Sequence, residues 1–205
     1  VRGYYFITDS SLSRAGNVQD VKSALSAGVK VVQYREKNSS SASMYREALE
    51  LRGLCRQNGA LFIVNDRIDI ALTVEADGVH LGQKDIPYTA ARRILPRGMI
   101  IGISAGTLAE ALEAAASGAD YLGVGPIFST STKTDADEPC GPELIRIVRG
   151  QCDLPIVAIG GIDEYNASGV ISAGADMICS ISAVVTHADV AGRIKIFSGL
   201  FDIPV

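Results

Sequence analysis

Two cations and an amide occupy alternate positions of the run QYREK, as Gln33, Arg35 and Lys37. Successive side chains of an extended chain face opposite ways, so the three would converge on one side. The plainer alternative is a charged strand end dipping into solvent. A second run, FIVNDRIDIAL (62–72), begins apolar and then crowds Asn65, Asp66 and Arg67 onto the point where its spacing turns helical. With Asn65 and Lys133 added from other segments, Arg35 and Lys37 suit a highly charged oxyanion such as diphosphate. Asp66 and Asp85 offer hard oxygen ligands, and carboxylates beside a diphosphate are a usual way to hold Mg²⁺. Each also has a plain reading: Asp66 as the cap of the following helix, and Asp85, in GQKDIP, as a turn residue before Pro87.

Gly160 and Gly161, followed by DEYNAS, are expected to expose backbone amides at a helix amino end, where a phosphate is favoured. Ser182 would join them from the end of the last strand. The alternative is a turn that uses two flexible glycines. These residues outline two anion sites, one for Mg²⁺ and diphosphate and one for a monophosphate. Two phosphorylated substrates meeting there would be joined, with diphosphate as the leaving group. His80 lies mid-strand in GVHLG and reads as a hydrogen-bonded barrel residue, and His187 reads as a surface cap. No serine sits in a nucleophile elbow, and there is no dinucleotide fingerprint, Walker loop or zinc motif.

The elements that must position these groups are short β-rich runs: YYFIT, KVVQYRE, LFIVN, GVHLG, IIGIS, YLGVG, PIVAIG and MICSIS. Amphipathic helical segments alternate with them, most closed by a glycine. Several runs are almost wholly apolar, as in a parallel sheet covered on both faces. Eight strand–helix units in 205 residues leave about 26 residues each, enough for a single-domain α/β fold of the (β/α)8 TIM-barrel type. A doubly wound open sheet is the alternative, but it needs a Gly-rich first turn that YYFITDSS lacks. A barrel collects its active site at the carboxyl ends of its strands. Those ends carry Gln33, Arg35 and Lys37, then Asn65 and Asp66, Asp85, Ser104, Gly160 and Gly161, and Ser180 and Ser182. The polar stretch STSTKTDADEPCGP (129–142), with Thr130, Thr132 and Lys133, is expected to be a mobile loop over the site.

A net charge of −4 and a pI near 5.2 argue against a nucleic-acid surface. The four cysteines form no C-x-x-C pair, so reduced structural thiols are expected. No apolar run reaches the length of a membrane span and the opening residues lack signal-peptide order, which makes a cytoplasmic protein the expectation. A chain opening on Val1 is expected to lack some leading residues.

The chain resembles the thiamine phosphate synthase family over nearly its whole length. The blocks are QYREK (33–37), FIVNDRIDIAL (62–72), ADGVHLGQKD (76–85), IGISA (101–105), GADYLGVGPIFSTSTK (118–133), PIVAIGGI (155–162) and ISAV (181–184). The resemblance implies an enzyme that joins 4-amino-2-methyl-5-hydroxymethylpyrimidine diphosphate to 4-methyl-5-(2-phosphooxyethyl)thiazole, giving thiamine phosphate and diphosphate. It implies that Arg35, Lys37, Asn65 and Lys133 hold the diphosphate and that Asp66 and Asp85 bind Mg²⁺. Gln33 would face the aminopyrimidine, Ser104 the departing diphosphate, and Thr130 and Thr132 would lie over the substrates. Gly161, Ile181 and Ser182 would complete the thiazole phosphate site. Ser104, Lys133, Arg35 and Lys37 are the implied catalytic residues. Gly106 stands where relatives commonly carry His. A homodimer is compatible with such a barrel. The rival readings are a thiazole tautomerase on the same barrel, a sugar-phosphate isomerase or lyase, and a noncatalytic sensor of thiamine phosphate. Retention of the carboxylate pair and Lys133 favours the synthase.

Overall fold

The computed structural model describes residues 1–130, 132 and 138–202. Within them the eight expected strands close into one parallel barrel in sequence order. The strands are β1 (Gly3–Ile7), β2 (Val31–Tyr34), β3 (Leu61–Asn65), β4 (Gly78–Leu81), β5 (Ile100–Ala105), β6 (Tyr121–Val124), β7 (Ile156–Ile159) and β8 (Met177–Cys179). The helices between and after them are α1 (Asn17–Ser26), α2 (Ser41–Gln57), α3 (Ile68–Thr73), α4 (Tyr88–Ile94), α5 (Leu108–Ser117), α6 (Gly141–Arg149), α7 (Ala167–Ser172), α8 (Ser182–Val185) and α9 (Val190–Gly199). Among the described residues no helix is long and apolar enough to cross a membrane.

The strands are buried on both faces because helices cover the outside and side chains fill the inside. Hence β2 and β6 are buried at every position. Local chemistry agrees with the elements. Thr107 and Glu110 form a reciprocal capping box at the start of α5, and Gly118 ends that helix in the left-handed conformation. Pro142 occupies the first turn of α6, where its missing N–H is not needed.

A recurring device closes the amino-terminal end of the barrel. Asp77, Asp120 and Asp176 precede β4, β6 and β8, and each accepts a backbone N–H from the strand before it: Phe62 at 2.8 Å, Ile101 at 2.8 Å and Ile156 at 2.9 Å. The amide of the same aspartate donates to the carbonyl of that same residue, at 2.9–3.0 Å. This accounts for the likeness of the joints EADG, GADY and GADM: a carboxylate there continues the strand ladder past its last regular bond. These bonds lie at the amino-terminal end of the barrel, away from the carboxyl ends of the strands.

Candidate active site

At those carboxyl ends lies a cavity of about 280 Å³, lined by residues from all eight strands. Its floor follows from the period-two alternation of the strands: Tyr5, Gln33, His80, Ser104 and Tyr121 all face inward. They form one hydrogen-bonded chain. Gln33 Nε2 donates to the Tyr5 hydroxyl at 2.9 Å, and the Tyr5 and Tyr121 hydroxyls lie 2.8 Å apart. His80 Nδ1 is 2.9 Å from the Tyr121 hydroxyl, and its Nε2 is 2.9 Å from Ser104 Oγ. Burial pushes both phenols upward in pKa, so they remain hydroxyls through the neutral range. Two glycines make room for the rings. A Cβ on Gly102 would lie 2.0 Å from the Tyr121 ring, and one on Gly123 would lie 2.8 Å from His80 Cε1.

The rim carries the charges. β2 ends at Tyr34, yet Arg35 stays extended because Thr8 Oγ1 accepts from its N–H at 2.9 Å and donates to its carbonyl at 3.1 Å. Glu36 then accepts from the amides of Asn38 and Ser39, which turns the chain. Gln33, Arg35 and Lys37 therefore all reach the cavity, as the alternation predicts. Arg35 Nη1 lies 2.7 Å from Asp9 Oδ2, and Lys37 Nζ lies 2.5 Å from Asp66 Oδ2.

Asp66 does not cap the helix that follows. Its φ is 59°, in the left-handed region that Asp enters more readily than most residues. The bend is held by bonds from the Asp66 amide to the His80 carbonyl at 2.9 Å and from the Ile68 amide to the Asp66 carbonyl at 3.1 Å. Arg67 takes the cap position of α3 without a side-chain cap, and its guanidinium binds Asp69 and Ser41 instead of reaching the cavity. Asp85 serves its turn as well, accepting from the Gly82 amide at 2.7 Å. Burial, and next the adjacent Asp66 carboxyl, raise its pKa, so these two carboxyls face each other.

Gly160, Gly161, Ile181 and Ser182 line another part of the cavity wall, and Thr130 and Thr132 also border it. The expected helix amino end at DEYNAS is different in the structure. α7 begins only at Ala167, and the Asp163 carboxylate takes the amides of Tyr165 and Asn166. Gly160 and Gly161 have φ of 100° and 63°, and a Cβ on Gly161 would come within 2.5 Å of the Ser129 carbonyl oxygen. The glycines thus let the β7 loop pack closely against residues 126–129. Asn65 lines the cavity beside Asp66. Gly106 lines it too, with its amide bonded to Glu110 Oε2 at 2.7 Å. Lys133 lies outside the described residues, with residues 131 and 134–137 of the same loop.

Reading strand ends alone missed Tyr5, Tyr121 and Asp9, and it gave His80 no part in the cavity. The signal for the first two was present: on YYFIT and YLGVG the tyrosines fall in step with Ile7 and Gly123, two residues on.

The family model described as "Thiamine monophosphate synthase" matches residues 4–184. The thiamine-phosphate synthase of Methanospirillum hungatei is 51% identical over 199 residues, covering 97% of either chain. That of Chloroflexus aurantiacus is 51% identical over 192 residues, 93% of this chain and 88% of its own. The structure of thiamine phosphate pyrophosphorylase from Pyrococcus furiosus superposes with a TM-score of 0.90 at 41% identity, covering 98% of this chain and 95% of that one. A thiamine phosphate pyrophosphorylase from Bacteroides thetaiotaomicron, only 14% identical, shares the fold with a TM-score of 0.73. With the model covering most of the chain and half of the residues identical to these enzymes, the chain belongs to the thiamine monophosphate synthase family.

Proposed function

We propose that this thiamine-phosphate synthase, a transferase, joins 4-amino-2-methyl-5-hydroxymethylpyrimidine diphosphate to 4-methyl-5-(2-phosphooxyethyl)thiazole. The products are thiamine phosphate and diphosphate. The observation that carries this reading is a single cavity that brings Arg35, Lys37, Asp66 and Asp85 together with the polar Tyr5, Gln33 and Tyr121 and with Gly161 and Ser182. The aminopyrimidine would lie on the floor within reach of Gln33. Its diphosphate would meet Arg35, Lys37 and Asn65 at the rim, and the thiazole phosphate would meet Gly161, Ile181 and Ser182.

The donor set fits Mg²⁺. Asp66 and Asp85 present only hard oxygens beside each other at the rim, and Lys37 pairs with Asp66 in this structure. Two carboxylates would hold such an ion, with substrate phosphate and water completing its shell. When bound, the ion would neutralise charge on the diphosphate.

In this reading the C–O bond to diphosphate breaks with its electron pair leaving on the oxygen. The electron-rich aminopyrimidine stabilises the CH₂ cation that remains. The thiazole nitrogen then donates its lone pair to that carbon. Arg35 and Lys37 act mainly on the first step, because negative charge grows on the leaving oxygen as the bond lengthens. Ser104, held by His80, would lie near the departing group. Lys133 would add a further cation, and the 129–142 loop would exclude water from the cation intermediate.

The test is diphosphate release by purified enzyme supplied with the pyrimidine diphosphate, with and without the thiazole phosphate, in Mg²⁺ and in EDTA. Release that needs both substrates and the metal, with equimolar thiamine phosphate formed, is expected. Release unaffected by EDTA would remove the metal role from Asp66 and Asp85, and absence of thiamine phosphate would overturn the reaction itself.

A further inference from the structure

Asp9 has no part in the chemistry described so far, yet it is only 4% exposed and both of its oxygens are occupied. Oδ1 accepts from the Ser11 amide at 3.1 Å, the Ser11 hydroxyl at 2.5 Å and the Leu12 amide at 3.2 Å. The Asp9 carbonyl in turn accepts from the amides of Leu12 and Ser13, at 3.2 and 2.9 Å. A carboxylate fastened this way has little freedom of its own. Its other oxygen, Oδ2, accepts from Arg35 Nη1 at 2.7 Å.

The preceding residue, Thr8, is fully buried and holds the Arg35 backbone through both the N–H and the carbonyl. Two consecutive residues after β1 thus fix both the main chain and the guanidinium of one arginine on β2. A guanidinium has five N–H donors in a rigid fork. Among the described residues Asp9 is its one hydrogen-bond partner, and Arg35 lines the cavity. A free arginine loses rotamer entropy when a ligand orders it, and an arginine already held loses less.

We infer that Asp9 is the positioning residue for Arg35: it aims the guanidinium into the anion-binding rim before the diphosphate arrives. The inference rests on the reading of Arg35 as a diphosphate ligand. It also competes with a simple electrostatic alternative that predicts the opposite sign. A carboxylate beside a cation weakens the attraction of that cation for an anion, so an Asp9 acting through charge alone would hinder diphosphate binding, and its removal would tighten it.

The experiment is a double-mutant cycle on binding of inorganic diphosphate in Mg²⁺, measured by calorimetry on the wild type, Asp9→Asn, Arg35→Ala and the double variant. Binding of the thiazole phosphate is measured alongside. Arg35→Ala is expected to weaken diphosphate binding by about 10- to 100-fold. Asp9→Asn is expected to weaken it by about tenfold, and the double variant to be no weaker than Arg35→Ala alone. Thiazole phosphate affinity should stay within about twofold throughout, which a general loss of structure would not allow. If Arg35→Ala binds diphosphate as well as the wild type, the ligand role of Arg35 fails and the positioning role with it. If Arg35→Ala is weak but Asp9→Asn is neutral or tighter, or its loss persists in full without Arg35, the positioning role alone is overturned. Should Asp9→Asn fail to fold by circular dichroism, Ser11→Ala removes one bond to Oδ1. A diphosphate loss of about two- to threefold is then expected, and no loss would overturn the inference.

Discussion

The floor and the rim of the cavity are built on opposite principles. On the floor, hydroxyls, an amide and an imidazole satisfy one another at 2.8–2.9 Å without any ligand. On the rim, two carboxyls face each other, and Lys37, which pairs with one of them, is about half exposed. A buried network with its bonds made supports the fold, and a bond removed from it leaves partners that must be satisfied otherwise. Exposed ion pairs contribute little to stability. Lys37 can therefore be altered at small cost to the fold, and its charge is available to a ligand whose charge changes during reaction.

The largest effect that would sharpen this contrast belongs to the rim. Lys37→Ala should lower kcat by about 100- to 1000-fold, as expected when one donor to a developing negative charge is removed, while the melting temperature moves by less than about 2 °C. Steady-state diphosphate release and a thermal melt check the pair of outcomes. A large drop in melting temperature with nearly normal turnover would erase the distinction.

Gly102→Ala comes next and strikes the floor. The added methyl would meet the Tyr121 ring at 2.0 Å, and that ring is held at its hydroxyl by Tyr5 and His80. Overpacking of this kind costs about 1–3 kcal/mol, or roughly 2–12 °C for a chain of this size. Calorimetric unfolding reads it directly. A variant that melts with the wild type would show that the floor is more yielding than its packing indicates.

Tyr121→Phe should produce the smallest effect. The ring remains, but Tyr5 and His80 Nδ1 each lose the hydroxyl they share. A loss of about 1 kcal/mol in stability is expected, since cavity water can reach part of the gap. KM for the pyrimidine diphosphate should rise while affinity for inorganic diphosphate is unchanged. A fall in inorganic diphosphate affinity would mean that floor and rim act as one unit.

Much of this architecture was legible in the chain. The eight apolar runs and the helical segments between them specify a parallel sheet covered on both faces, because each run is too apolar to leave a face in water, and their number points to a barrel. The alternation of QYREK correctly brings Gln33, Arg35 and Lys37 to one cavity. The repeated aspartate before β4, β6 and β8 is visible as a motif, although its bonding is not. Local rules misled at DEYNAS, where the Asp163 carboxylate takes amides that a helix start would have exposed. They were also incomplete at Asp66, where cap preference is a local matter and the left-handed bend is held by β4.

By itself, then, the sequence determined the order of elements, the inward positions of each strand and the types of charge at their ends, all of which depend on residues close along the chain. Tertiary structure alone decided which inward residues meet. Gly102 pairs in register with Tyr121, Asn65 with His80, and Asp9 reaches Arg35 across two neighbouring strands. Such partnerships depend on strand register and barrel closure, which join residues far apart along the chain and leave no periodic trace in either segment.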